Sequence, residues 1–201
     1  MIPITQITAI MKYLNCLTRL RGLEKMVMLK ILDGSTDISN AYVGILTAQA
    51  QDGDIKGALN IAKKMKDYEL KSETLTYIAQ AQAQGGDIAG AKKTFQEALD
   101  SADNINDAFY KCARLIRIAD YQEKCGDSKV ALHTLEKALF VSEIIEDEFL
   151  KNLLLRNIVM ATALLGYYDT AYDNAYTIDD DQFRSEALRS IEKIKQEKEV
   201  K

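Results

Sequence analysis

Apolar residues recur along this chain at intervals of three and four, and the phase of that recurrence resets at four glycines: Gly53, Gly86, Gly126 and Gly166. Eight residues before each lies an isoleucine (Ile45, Ile78, Ile118, Ile158), and eleven before lie Tyr42, Leu75, Leu115 and Leu155. Five residues after each lies an alanine (Ala58, Ala91, Ala131, Ala171), nine after lie Ala62, Phe95, Leu135 and Ala175, and twelve after lie Met65, Ala98, Ala138 and Ile178. Offsets of −11, −8 and −5 share one face of a helix, and offsets of +5, +9 and +12 share one face of another. Each glycine therefore predicts the bend of a helical hairpin. Glycine takes the left-handed conformation that ends the first helix, and Asp54, Asp87 or Asp127 then accepts a backbone N–H as the cap of the second. A connection that short forces antiparallel packing, with the alanine at +5 where two helix backbones approach closely.

The stretch "AQAQAQ" (79–84) alternates like a strand, but in this frame it is helical: Ile78 and Ala81 point inward, and "GGD" (85–87) is a bend and a cap. Gln49, Gln82 and Gln122 stand at the same offset, which predicts a side-chain ladder running through the stack. Successive glycines are 33, 40 and 40 residues apart. The seven extra residues are about two turns at roughly 3.6 residues per turn, one turn expected in each helix. After the fourth bend "KSETLTYI" (71–78) returns as "RSEALRSI" (184–191), so the last helix reads as a fifth first-helix without a partner, closed by the charged "KIKQEKEVK".

The resulting organisation is an N-terminal helical cap or degenerate repeat over residues 1–35, four helix-pair repeats over 36–181, and a capping helix with a charged tail over 182–201. Residues 4–33 are expected to form one long helix or a degenerate pair around Gly22, and "DGSTD" (33–37) to form a loop. The opening "MIPITQITAIMKYLNCLTRL" has its apolar residues on one helical face, which reads as an amphipathic helix rather than a signal peptide. No stretch approaches the roughly eighteen consecutive apolar residues of a membrane span.

Composition narrows the class further. A 47% hydrophobic content with one proline in 201 residues suits a packed, all-helical chain. The net charge of −4, uneven in that residues 1–35 hold five basic groups (Lys12, Arg19, Arg21, Lys25, Lys30) against Glu24 and Asp33 and leave the rest acidic, argues against nucleic acid as the partner. Cys16, Cys112 and Cys125 are widely spaced and lack a CxxC, as expected of reduced thiols in a cytoplasmic protein.

The chain resembles the tetratricopeptide repeat family, most closely in "LIRIADYQEKCGDSKVALHTLEKAL" (115–139): a Gly-Asp bend, a small residue after it, a bulky residue further along the second helix. It departs from the family at the offset −4, where Gln49, Gln82, Gln122 and Thr162 replace an aromatic residue, in lacking a proline at the repeat ends, and in its long middle units. The resemblance implies a right-handed α-α superhelix of antiparallel helix pairs whose first helices line a concave groove. On that frame Val43, Thr47, Thr76, Gln80, Ile116, Asp120, Arg156 and Met160 (offsets −10 and −6), with Tyr77, Arg117 and Asn157 (offset −9), are the expected groove residues. Family members that bind chaperone tails clamp a C-terminal carboxylate with Lys and Asn; the early units here have neither, so that ligand is not expected.

Catalytic chemistry is not expected. His133, the single histidine, has no partner at metal or triad spacing and reads as solvent-facing. The acidic runs "EIIEDE" (143–148) and "DDD" (179–181) lack the pattern of a calcium loop and read as helix caps. Gly85, Gly86 and Gly90 do not have the spacing of a phosphate loop. Tyr168, Tyr172 and Tyr176 form an i, i+4, i+8 stripe expected to pack on the terminal helix. The sequence thus predicts a non-enzymatic scaffold without metal or cofactor, holding a protein or peptide in its groove, with array ends suited to self-association. The alternative is a small-ligand or signal-peptide receptor, or a regulatory chaperone of the same repeat type.

Overall fold

The structure, a computed structural model, describes residues 36–199, with side chains described from residue 43. The predicted helix at 4–33, Cys16 and the whole 1–35 segment lie outside the described residues. Of the loop expected at 33–37, Thr36 and Asp37 already belong to a helix.

Among the described residues there are nine helices and no strand: α1 Thr36–Gln51, α2 Ile55–Ala62, α3 Tyr68–Gln84, α4 Ile88–Asp103, α5 Ala108–Lys124, α6 Ser128–Ser142, α7 Glu148–Leu164, α8 Tyr168–Tyr176 and α9 Asp181–Glu199. The odd-numbered first helices pack on one another in chain order, and each even-numbered helix packs on the first helix before it and the one after. Second helices have no comparable packing on each other.

All four bends form as the glycines predict. Gly53, Gly86, Gly126 and Gly166 have φ of +99°, +86°, +82° and +90°. At each, the glycine N–H returns to the carbonyl three residues back and the next N–H to the carbonyl five back, as in Gly86 to Ala83 (3.0 Å) and Asp87 to Gln82 (2.9 Å). These two bonds satisfy carbonyls that a helix end otherwise leaves open. Ala58, Ala91, Ala131 and Ala171 are fully buried behind the bends. The core runs from α1 to α7, with Leu75, Ile78, Leu115, Ile118 and Leu135 at its centre, and a second cluster joins α7 to α8 and α9 around Val159, Ile178 and Ile191.

Three expectations need correction. First, the extra seven residues are not shared between helices. First helices α1, α3, α5 and α7 have 16, 17, 17 and 17 residues, whereas second helices α2, α4, α6 and α8 have 8, 16, 15 and 9. The first helices pack side by side, so lengthening one would leave its end without a neighbour; a second helix can grow by two turns without rotating its buried face. The equivalents of Met65 and Ile178 at the close of the unit are accordingly Ile105 and Ile145, not Ala98 and Ala138. All four donate their N–H to the carbonyl three residues back.

Second, the glutamines do not form a ladder. Each bonds within its own unit: Gln49 Nε2 donates to Asp54 Oδ2 (2.6 Å) and Gln82 Nε2 to Asp87 Oδ2 (3.1 Å), while Gln82 Oε1 and Gln122 Oε1 accept from Thr94 (2.6 Å) and Thr134 (2.8 Å). Third, Asp127 does not cap α6. Asp54 and Asp87 accept from Gly57 and Gly90 N–H at 2.9 Å each, and a Cβ on either glycine would stand 2.2 or 2.0 Å from the aspartate oxygen. The third unit has Val130 in that place, and Asp127 pairs instead with Lys92 Nζ at 2.8 Å.

The acidic runs do cap helices. Asp147 Oδ1 accepts from Leu150 N–H at 2.9 Å, and Asp180 Oδ1 accepts from Gln182 (2.9 Å) and Phe183 (3.0 Å). If the alanine at +5 marks a backbone contact, Ala131→Leu should cost about 1–3 kcal/mol in denaturant unfolding. Exposed Ala89→Leu, on the outer side of α4, should change stability by no more than about 0.5 kcal/mol.

Candidate functional site

The first helices present one continuous face built from the offsets −9 and −6. Thr47, Gln80, Asp120 and Met160, together with Tyr77 and Asn157, are half-exposed there, and Arg117 is open to solvent. Two of the expected groove residues are not on this face. Val43 and Thr76, at offset −10, are 5% and 2% exposed. That offset faces the seam between neighbouring first helices, where the Thr76 hydroxyl donates to Ser72 O at 2.7 Å. Ile116 and Arg156, at the same offset, stay half-exposed.

Two shallow depressions gather these residues. The first, between α1 and α3, brings Thr47 and Tyr77 together over Val43 and beside Glu73. The second, between α7 and α9, brings Arg156, Asn157 and Met160 together with Arg189 and Lys193. Gln80, Ile116 and Asp120 line neither. Asp120 is held by Lys124 Nζ at 2.7 Å, which raises the lysine pKa, chiefly through that hydrogen bond.

Between the depressions lies a charged seam that sequence reasoning missed. Arg114, 8% exposed on α5, has its NH2 at 3.4 Å from both Glu69 Oε1 and Glu73 Oε2 of α3, and Arg117 NH1 lies 3.7 Å from Glu73 Oε1. Tyr77 stands edge-on to Tyr121 at 5.5 Å, and burial pushes its phenol up. A signal was present: an i, i+4 acid pair in one unit and an i, i+3 arginine pair in the next. The buried Arg114 Nε has no partner, so the carboxylates are what offset its desolvation.

Arg156 is not the free groove cation its position suggested. Its NH1 donates to Glu186 Oε2 at 2.8 Å and its guanidinium lies 5.5 Å from the Phe183 ring centre. Hydrogen bonds from Gln182 first and then Arg156 hold the Glu186 carboxyl below its usual range, so the pair persists at neutral pH and opens only in acid. The exposed cations lining this depression are Arg189 and Lys193 of α9, with Lys193 Nζ 3.9 Å from Glu197 Oε1.

Other candidate groups stay apart from the face. His133 is exposed on α6 with Nδ1 3.1 Å from Glu136 Oε2. Burial pushes the Cys112 thiol up to about 12, and its Sγ donates to Ala138 O at 3.3 Å, so it is no nucleophile at neutral pH. Tyr168 and Tyr172 pack on the cluster around α9, where Tyr172 donates to Glu192, while Tyr176 is exposed. Among the described residues no group of three or more His, Cys, Asp and Glu side chains could hold a metal ion. No described helix is long and apolar enough to cross a membrane.

The geometry defines a stack of helix pairs with one polar face along its first helices. No protein-family profile and no curated protein matches the chain. Among solved structures it is similar to the crystal structure of Ton1535 from Thermococcus onnurineus NA1, with a TM-score of 0.59 and 21% identity over 90% of this chain. The likeness is one of fold, and the chain spans 57% of the length of Ton1535.

The charged seam makes a measurable claim. In a double-mutant cycle of Glu73→Ala and Arg114→Met, read by denaturant unfolding, a coupling of about 0.5–3 kcal/mol is expected. Additive effects would mean that the pair is not formed in solution.

Proposed function

We propose that this chain is a tetratricopeptide-like right-handed array, a non-enzymatic scaffold that holds an extended segment or helix of a partner protein along the face of its first helices. The observation that supports it best is the row of half-exposed side chains from Thr47 through Tyr77, Gln80 and Asp120 to Asn157 and Met160, which recurs at the same offsets along successive first helices. Apolar and aromatic surface at Tyr77, Ile116 and Met160 supplies area, while Gln80, Asn157 and the charges fix a partner's position. Glu69 and Glu73 are balanced by Arg114 and Arg117, so the middle of the face is close to neutral, and at its α9 end, where Glu186 pairs with Arg156 and Glu197 lies 3.9 Å from Lys193, Arg189 adds a further positive charge. A partner of this kind covers on the order of 1,600 Å² in total. Cys112 and Cys125 are free thiols, in keeping with a cytoplasmic protein.

Affinity purification from the native cell, repeated with Arg117→Ala combined with Arg189→Glu, tests the assignment. Both side chains are exposed, so stability should change by no more than about 0.5 kcal/mol. Recovery of the partner should fall about tenfold. Equal recovery by the variant would take the partner off this face.

A further inference from the structure

Where second helices lack close packing on one another, a cavity of about 230 Å³ opens between α4 and α6, on the layer away from the proposed partner face. Phe95 and Leu99 of α4 form one wall, Val130 of α6 the other, Cys125 the floor, and Ile88 and Val130 lie 45% and 42% exposed at its edge. Lys92, Gln96 and Asp127 also border it, and the buried polar group of the lining is the amide of Gln122, which is 2% exposed. Its Oε1 is taken by the Thr134 hydroxyl, but its Nε2 donates to no group among the described residues. The equivalent nitrogens of Gln49 and Gln82 are both held by a capping aspartate. Val130, standing where those units have glycine, is the difference: it displaces Asp127 toward Lys92 and leaves the Gln122 donors unmatched.

We infer that this cavity is a binding site for a small neutral molecule of about one aromatic ring carrying a single hydrogen-bond acceptor, with the ring against Phe95 and Leu99 and the acceptor on Gln122 Nε2. The size follows from the volume: an apolar cavity of about 150 Å³ accepts benzene, and sites for drug-sized ligands begin at about 300 Å³. Neutrality follows from the lining. The Lys92–Asp127 pair is self-balanced, and burial raises the Cys125 thiol above its ordinary value, so the floor carries no thiolate. The acceptor follows from that amide, because its Nε2 has no protein partner and opens on the cavity, so a ligand oxygen placed there gains a hydrogen bond of about 0.5–1.5 kcal/mol. Nothing in the inference depends on the partner face, so either can fail alone.

The full chain can be tested with acetophenone, which has the acceptor, and isopropylbenzene, which has the same shape without it. Alkylation of Cys125 by iodoacetamide, followed peptide by peptide in the mass spectrometer, reads occupancy, and the shut-in Cys112 reports any general opening. Acetophenone should slow Cys125 alkylation and bind about fivefold more tightly than isopropylbenzene. Gln122→Met, which leaves Thr134 its bond to Val130 O at 3.0 Å, should erase that preference while retaining both ligands. Val130→Phe, an enlargement at a half-open position, should abolish binding of both. No protection of Cys125 by either probe would overturn the site. Equal binding of the two probes to the unaltered chain would overturn the role of Gln122.

Discussion

The constraint on which the rest of the structure depends is the contact behind each bend: a glycine in the left-handed region, and five residues later an alanine buried between two helix backbones. A larger side chain there would push the second helix away from the first, and every distance further along the pair would grow with it. The alanines themselves contribute little area. Their effect is to let Leu75, Ile78, Leu115, Ile118 and Leu135 close on one another, each fully buried leucine or isoleucine stabilising by about 1.5–3 kcal/mol. Because each unit repeats the contact in the same phase, the first helices emerge side by side, and the polar face exists because they do.

The second helices obey a looser rule. They must cover their own unit, but nothing requires neighbours in that layer to touch, so two of them carry two additional turns and two do not. The cost of this freedom is met at the bends, where polar groups have to be satisfied locally. A glutamine four residues before the glycine, the aspartate after it and a glycine three residues on do this in the first two units. In the third unit a single valine in place of that glycine redirects the aspartate to another helix and turns a closed polar contact into an open one facing a cavity.

The bends, the alanines and the face of each first helix were legible in the sequence because they depend on near neighbours and recur at fixed offsets. What was missed depends on which residues a neighbouring helix presents. Leu46, Ala79, Ala119 and Val159, one residue past the isoleucines, are fully buried, yet two of them are alanines that carry no hydropathy signal. Ser72 and Cys112 occupy one position and bond the carbonyls of Ala98 and Ala138, a shared role hidden by unlike chemistry. Val43 and Thr76 were placed on the open face although they sit at the seam, because offset alone does not say how closely the next first helix lies. Arg114 has carboxylate partners 45 and 41 residues away, and only the stacking of whole units brings them together.

If the structure is an array whose units contact only their neighbours, one unit can be removed in phase. Deleting residues 87–126 joins Gly86 to Asp127, pairs α3 with α6 and seats α7 on α3, with Ser72 in the place of Cys112 opposite Ala138. The account predicts a shortened chain of the same fractional helicity that still unfolds in a single cooperative transition, with a smaller dependence on denaturant. Loss of helicity or of cooperative unfolding in that deletion would contradict it.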